Sequence, residues 1–138
     1  MNCYYKTERQ IRTLVDAFET CQIHPSEFKH YQHLTVALWY LSHLPYDEAV
    51  EKMKRGIQRL AASYGKTGYH ETITEFWLRL VRSFLEGVKG SDSLAALANQ
   101  CIARYGNAKL ISAYYSNEVL ASPEAKTRWI EPDLKPME

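Results

Sequence analysis

The sequence lacks a long uninterrupted apolar stretch, and this absence limits the classes of protein it can encode. None of its 138 residues lies in a segment approaching the roughly 18 apolar residues that a membrane-spanning helix needs. The run from Val36 to Leu41 is long enough only for part of one buried helix. Residues 1–6 carry no apolar core of a signal peptide. We therefore expect neither a leader nor a membrane span.

Cysteine is scarce, and an excess of charge of either sign is missing. Cys3, Cys21 and Cys101 are far apart in the chain and form no C-x-x-C pair, which favours a reducing compartment and predicts a cytoplasmic protein. The 17 basic and 16 acidic residues give a net charge of only +1. Because nucleic-acid-binding proteins normally show a basic excess or stripe, we expect no nucleic acid and no membrane as partners. The densest basic cluster, residues 52–59, follows Glu48 and Glu51 at helical spacing, which predicts a solvated face with ion pairs.

Alternation of apolar and polar residues, which marks a half-buried strand, never extends beyond a few positions. Apolar residues recur instead at spacings of three and four, the period of an α-helix. Long helices are predicted over about 7–21, 28–43, 46–64 and 69–87, a fifth over about 91–105, and shorter ones from 108 onward. Thr7 and residues 91–93 are predicted helix N-caps, and Gly65 a left-handed helix end. The prediction is an all-α, single-domain helix bundle (residues 1–138) of about four long helices plus shorter C-terminal ones, with an extended tail from about residue 129.

Two histidines three residues apart open the second predicted helix. His30 and His33 lie on the same side of this helix, on a stripe that continues through apolar positions 34, 37, 41 and 44. The pair is therefore expected at the edge of a core-facing stripe. A second polar cluster, with His70 and Glu71, opens the fourth predicted helix. His70 shares its face with Ile73, Thr74 and Trp77, so we expect it to point inward.

These residues form a candidate site for a divalent metal. Metal sites in helix bundles are built from inward-facing histidines and carboxylates on facing helices. The predicted ligands are His30, His33, His70 and Glu71, and this ligand set suits Zn²⁺, Fe²⁺, Mn²⁺ or Ni²⁺ without separating them. Glu27 lies three residues before His30, but a first-turn acid more often stabilises a helix start. A histidine on an apolar face also commonly donates to a backbone carbonyl and binds nothing.

Two hypotheses of different classes follow from these residues. The first is a metal-dependent or general acid–base enzyme acting on a small molecule, in a pocket formed by the histidines with Tyr31, Tyr69, Glu71 and Trp77. The second is a non-catalytic interaction or accessory protein in which the same cluster is a structural polar network. A protein partner or a homo-oligomer is compatible with either hypothesis. The sequence has no nucleophile elbow, dinucleotide fingerprint or complete phosphate-binding loop, so it does not specify a reaction or a substrate.

Three segments resemble a family of small bacterial all-helical proteins that has no established activity. They are residues 28–37 (FKHYQHLTVA), residues 68–74 (GYHETIT) and residues 129–134 (WIEPDL). The first two carry the patterns FxHxxHLxVA and GYHETIT. The resemblance implies that the two histidine-containing segments belong to one structural unit. It implies no catalytic residue.

Overall fold

The computed structural model describes residues 4–88 and 92–137, and within them it contains helices and no strand. The α-helices are α1 (Glu8–Glu19), α2 (His30–His43), α3 (Tyr46–Ser63), α4 (Glu71–Gly87), α5 (Leu94–Tyr105), α6 (Asn117–Ala121) and α7 (Pro123–Thr127). Two 3₁₀ helices span Pro25–Glu27 and Ala108–Ala113. The all-α prediction is confirmed. Five helices in these ranges, rather than about four, have at least 12 residues, because α5 is as long as α1.

The second helix, α2, is the central element of the bundle. It packs against α1, α3, α4 and α5. Its residues 34–38 are all buried, as expected for a helix that is apolar on every side rather than along one stripe. His30 and His33 lie in the first turn of this central helix and are half-buried.

The helix ends show why the chain folds into these segments. The hydroxyl of Thr7 accepts the backbone N–H of Gln10, and the Gln10 side chain accepts the N–H of Thr7 in return. This capping box confirms Thr7 as an N-cap. Ser93 caps α5, whereas residue 91 lies outside the described ranges, as does Cys3. Gly65 has the predicted left-handed conformation, with φ of 66°.

The charged face of α3 carries the predicted ion pairs. Arg55 pairs with Glu51 one turn before it, at 2.6 Å, and both side chains are exposed. Lys52 reaches Glu19 of α1 at 3.5 Å. Exposed pairs of this kind contribute little to stability because water and salt screen them. Lys54 differs from its neighbours, since its ammonium group is largely buried against α4.

A close approach between α1 and α3 is centred on Gly56. This glycine is buried in the middle of α3. A Cβ atom built at Gly56 would overlap the ring of Phe18. That ring is fully buried and stacks on Phe28 with 4.8 Å between ring centroids. The two helices can approach this closely because position 56 has no side chain.

Residues 128–137 form no helix and pack along the body of the protein. The hydroxyl of Thr72 donates to the carbonyl of Arg128 at 2.7 Å and accepts the N–H of Ile130 at 3.2 Å. The hydroxyl of Tyr115 donates to the carbonyl of Ile130 at 2.6 Å. Thr72 and Tyr115 are both buried. This extended segment is therefore fixed to the first turn of α4 by specific hydrogen bonds.

Side-chain and backbone contacts continue along the same segment. The guanidinium of Arg79 lies over the ring of Trp129, 3.9 Å from its centroid. The side chain of Asp133 accepts the backbone N–H of Ser116 at 2.8 Å. None of the helices in the described residues is both long and apolar enough to cross a lipid bilayer.

Candidate functional site

A cavity of about 510 Å³ lies at the start of α2 and α4. Its walls come from α2, α3, α4, the connection before α4 and the 3₁₀ helix Ala108–Ala113. The polar lining residues are His30, His33, Tyr69, His70 and Thr74, and the larger apolar ones are Leu34, Met53, Ile57, Ile73, Trp77, Leu78 and Ile111. No Asp, Glu, Lys or Arg of the described ranges lines it. The cavity is thus mainly apolar, with uncharged polar groups.

The structure brings together most of the predicted site residues, with two exceptions. The three histidines, Tyr69 and Trp77 all line the cavity. Tyr31 does not: it is one residue after His30, hence about 100° around the helix, and its ring packs on Tyr4 at 4.8 Å. Glu71 also lies outside the lining, because its carboxylate is turned toward Lys54 of α3.

His33 presents one unprotonated ring nitrogen that has no partner. Its Nδ1 lies 2.9 Å from the carbonyl oxygen of Lys29. A carbonyl only accepts hydrogen bonds, so Nδ1 carries the proton and Nε2 the lone pair of a neutral ring. In the described part of the chain, Nε2 has no hydrogen-bond partner. Burial lowers the pKa of His33, the Lys29 carbonyl opposes this, and nearby His30 lowers the pKa further. The ring is therefore neutral at pH 7.

The same reasoning applies to His30 with the two nitrogens exchanged. Its Nε2 donates to the carbonyl of Tyr105 at 2.9 Å, which leaves Nδ1 unprotonated and without a partner in the described residues. The ring meets Trp77 edge-on, with 4.3 Å between centroids. Burial lowers the pKa of His30, and the Tyr105 carbonyl only partly opposes this. His30 and His33 are thus two neutral imidazoles, and within the described residues each keeps one ring nitrogen that is free to accept a hydrogen bond.

His70 has both nitrogens engaged. It is the N-cap of α4, where its Nδ1 accepts the backbone N–H of Ile73 at 3.1 Å. Its Nε2 donates to the carbonyl of Leu120 in α6 at 2.7 Å. The helix therefore begins at Glu71, two residues later than the predicted start at Tyr69. His70 connects α4 to α6 and contributes its ring surface to the cavity.

Glu71 belongs to a charged network beside the cavity. Its carboxylate accepts the hydroxyl of Tyr69 at 2.7 Å and pairs with the ammonium of Lys54. Lys54 also binds Glu75 at 2.9 Å, and Glu75 binds Arg79 at 2.6 Å. Burial alone would raise the pKa of Glu75, but the hydrogen bonds from Lys54 and Arg79 outweigh it and lower that pKa. Negative and positive side chains thus alternate in this network, and each is paired with at least one opposite charge.

These hydrogen bonds and ion pairs limit which of the predicted ligands can bind a metal ion. Of the four predicted ligands, only His30 and His33 keep a ring nitrogen without a hydrogen-bond partner in the described residues. No group of three or more His, Cys, Asp or Glu side chains in residues 4–88 and 92–137 is arranged to hold a metal ion. A four-ligand site would require His70 to release the cap of α4 and Glu71 to leave Lys54. Binding of Zn²⁺, Fe²⁺, Mn²⁺ or Ni²⁺ stays a prediction.

We expect His70→Ala to lower the free energy of unfolding by about 2–4 kcal/mol, with or without metal. Loss of a helix N-cap costs about 0.5–2 kcal/mol. The unpaired Leu120 carbonyl adds about 1–3 kcal/mol. Urea unfolding with and without Zn²⁺ measures both effects. His70→Asn is the control, because asparagine restores a capping acceptor and should recover part of the loss. If Zn²⁺ stabilises the wild type and His70→Ala removes that stabilisation, His70 is a metal ligand instead.

Sequence reasoning missed part of the cavity wall. Met53 and Ile57 belong to the apolar stripe of α3, where the helical period indicates burial but not a cavity. Ala108 and Ile111 come from a segment without a long helical pattern, so nothing in the sequence places them opposite His30. The role of Thr72 had a signal: it lies four and eight residues before Phe76 and Leu80, on a buried stripe of α4.

Comparison of the chain with protein-family models, with curated proteins and with solved structures gives no match. The resemblance to small bacterial helical proteins therefore stays a prediction, as does a cytoplasmic location. The cavity and the atoms that line it are the features of the molecule that indicate a function.

Proposed function

We propose that the protein binds a small, mostly apolar organic molecule in the cavity between α2, α3 and α4. Known small-molecule sites have volumes of about 300–1,000 Å³, apolar walls and a few convergent polar groups. The cavity of about 510 Å³ falls within this range. Its walls include Trp77, Met53 and Ile57, whereas the imidazoles of His30 and His33 supply the polar groups. A ligand here would be similar in size to one or two fused rings with short substituents.

The free nitrogens of His30 and His33 are the observation that carries the proposal. In the described residues, no fully buried side-chain nitrogen or oxygen lacks a hydrogen-bond partner. The two free nitrogens must therefore be accessible, and both residues line the cavity. A cavity lined only by apolar atoms stays empty, whereas one with polar groups holds water or a polar ligand group. The two unpaired acceptors make this a cavity of the second kind, and a ligand that donates to them can replace water there.

The same atoms are suited to general base catalysis. A neutral imidazole can accept a proton through its free nitrogen. In His33, the Lys29 carbonyl holds Nδ1 and so fixes the ring with Nε2 unprotonated. Action on a bound molecule, as in the enzyme hypothesis, would then begin with proton transfer from the ligand to His33. Catalysis is the second step of the proposal and requires binding first.

The interaction-protein hypothesis has its own supporting observation. All three histidines donate to backbone carbonyls, those of Tyr105, Lys29 and Leu120. This is what a structural polar network predicts. For His70, which has no free nitrogen, we assign the structural role alone. For His30 and His33, a structural role accounts for one nitrogen each and leaves the other unexplained.

Binding of an uncharged fluorescent probe tests the proposal. N-phenyl-1-naphthylamine fluoresces strongly in apolar surroundings and is of a size that suits the cavity. We expect a saturable signal corresponding to one site per chain. Ala108→Trp should remove most of it, because Ala108 is exposed at the cavity lining and an indole there covers the opening. Thermal unfolding should show the bound probe too: a ligand at a hundred times its Kd stabilises by about 2.7 kcal/mol.

Ala113→Trp is the matched control for this experiment. Ala113 is exposed and ends the same 3₁₀ helix as Ala108, but it does not line the cavity. This variant should bind the probe like the wild type. Absence of saturable binding to the wild type would contradict the proposal, as would equal binding by the two tryptophan variants.

A further inference from the structure

We infer that the ligand of this cavity is an uncharged molecule that donates a hydrogen bond from a hydroxyl or N–H group to Nδ1 of His30 or to Nε2 of His33. The inference rests on the proposed function and specifies its ligand class. It follows from which hydrogen-bond donors and acceptors of the lining are already used.

The imidazole and hydroxyl groups of the lining have no donor left for a ligand. A neutral imidazole has one N–H, and a hydroxyl group has one O–H. Each is used within the protein: His30 donates to Tyr105 at 2.9 Å, His33 to Lys29 at 2.9 Å, His70 to Leu120 at 2.7 Å, Tyr69 to Glu71 at 2.7 Å and Thr74 to the His70 carbonyl at 2.8 Å. None of these five side chains can therefore donate a hydrogen bond to a ligand.

One side-chain donor of the lining remains. The indole N–H of Trp77 has no hydrogen-bond partner in the described part of the chain. A hydroxyl group matches the resulting set, because it donates to an imidazole nitrogen while its oxygen can accept from an indole. A carbonyl or ether oxygen can only accept, so it would leave both imidazole nitrogens unpaired. Leaving such groups unpaired weakens binding.

The same lining indicates that the ligand carries no charge. No ionised side chain of the described residues lines the cavity. Lys54, Glu71 and Glu75 of the network beside the cavity are paired with one another. An anion or cation entering the cavity would lose its hydration without gaining a counter-ion, and this cost is large in apolar surroundings. Lowered pKa values keep His30 and His33 neutral as well.

Three compounds of matched shape test the inference: 4-propylphenol, its methyl ether 4-propylanisole, and 4-propylbenzoate. At pH 7 a phenol, with a pKa near 10, is uncharged, and the benzoate is an anion. Displacement of N-phenyl-1-naphthylamine gives the three dissociation constants. We expect the phenol to bind about ten-fold or more tightly than the ether, the factor that one hydrogen bond of roughly 1.4 kcal/mol supplies. The benzoate should bind more weakly than the phenol.

Two variants at His33 connect the preference to that residue. His33→Phe keeps a planar ring and removes one of the two acceptors, so the preference for the phenol over the ether should become smaller, while Nδ1 of His30 still accepts. The Lys29 carbonyl still accepts the backbone N–H of residue 33, which limits damage to the fold. His33→Gln places an amide oxygen near the same point and should restore part of the preference for the phenol.

The possible results distinguish an error in the ligand class from an error in the proposed function. If the wild type binds the ether as tightly as the phenol, or binds the benzoate most tightly, the ligand class is wrong while the cavity remains a binding site. The same holds if the probe binds and none of the three compounds displaces it. If the probe and all three compounds fail to bind, the proposed function is wrong as well.

Discussion

Replacing Thr72 with Val should lower the free energy of unfolding by about 2–4 kcal/mol. Thr72 is 0% exposed, and its hydroxyl bonds the carbonyl of Arg128 and the N–H of Ile130. Valine has nearly the same shape, so the variant removes the hydroxyl without opening a cavity. Both backbone groups lose their Thr72 partner, and each unsatisfied buried group costs about 1–3 kcal/mol. Urea unfolding measures the free energy, and amide hydrogen exchange at Ile130, whose N–H binds Thr72, measures detachment of residues 128–130.

Thr74→Val is the matched control for Thr72→Val. The hydroxyl of Thr74 donates to the carbonyl of His70, one turn earlier in the chain. That carbonyl also accepts the backbone N–H of Thr74, so it stays paired in the variant and the cost should be below about 1 kcal/mol. Thr72→Ser keeps the hydroxyl and should lose only the contribution of one methyl group, about 0.8 kcal/mol. Equal losses at positions 72 and 74 would show that the bonds to residues 128 and 130 do not fix the segment.

Gly56→Ala should destabilise the protein by about 1–2 kcal/mol, although alanine is the better helix former by about 1 kcal/mol. The new methyl group would overlap the ring of Phe18. Phe18 is 0% exposed and stacked on Phe28, so it cannot turn aside without displacing a second ring. Overpacking of a filled core costs about 1–3 kcal/mol and occasionally more. At position 56 the cost of overlap with Phe18 is therefore larger than the gain in helix propensity.

Gly87→Ala provides the comparison for Gly56→Ala. Gly87 is the last residue of α4, and no atom of residues 4–88 and 92–137 lies within 4 Å of a Cβ built there. The substitution should be neutral or stabilise by up to about 1 kcal/mol. A double variant carrying Phe18→Leu tests the mechanism, because a smaller side chain at position 18 relieves the overlap. Gly56→Ala should then cost less than it does beside Phe18. Equal costs in both backgrounds would argue against overlap as the cause.

The class of fold and several helix ends could be predicted from the sequence because they depend on local chemistry. The cap at Thr7 and the left-handed turn at Gly65 are set by residues within a few positions. The buried stripe of α3 likewise follows from the helical period. The need for glycine at position 56 of that stripe has a weaker signal. A glycine between Met53 and Leu60 on a buried face indicates a close contact but does not identify Phe18 as the partner.

The hydrogen bonds that decide the role of each histidine could not be predicted, because they connect residues far apart in sequence. The carbonyl that accepts a hydrogen bond from His30 lies 75 residues away in sequence, and the one that accepts from His70 lies 50 residues away. No pattern at residues 28–37 indicates which ring nitrogen remains free. The inclusion of Tyr31 among the pocket residues had a different cause: its neighbour His30 faces the cavity, but adjacent helical residues point about 100° apart.

The hydrogen bonds of Thr72 have a consequence for how the protein forms during synthesis. Thr72 leaves the ribosome long before its partner Arg128, which lies 56 residues later. Until then, the start of α4 has its His70 cap and the Lys54–Glu71 pair but lacks the two hydrogen bonds to residues 128 and 130. Chains that end before residue 130 would therefore carry all three cavity histidines on a less stable α4, which forms one wall of the cavity. The cavity would thus reach its full stability only after translation has passed this point.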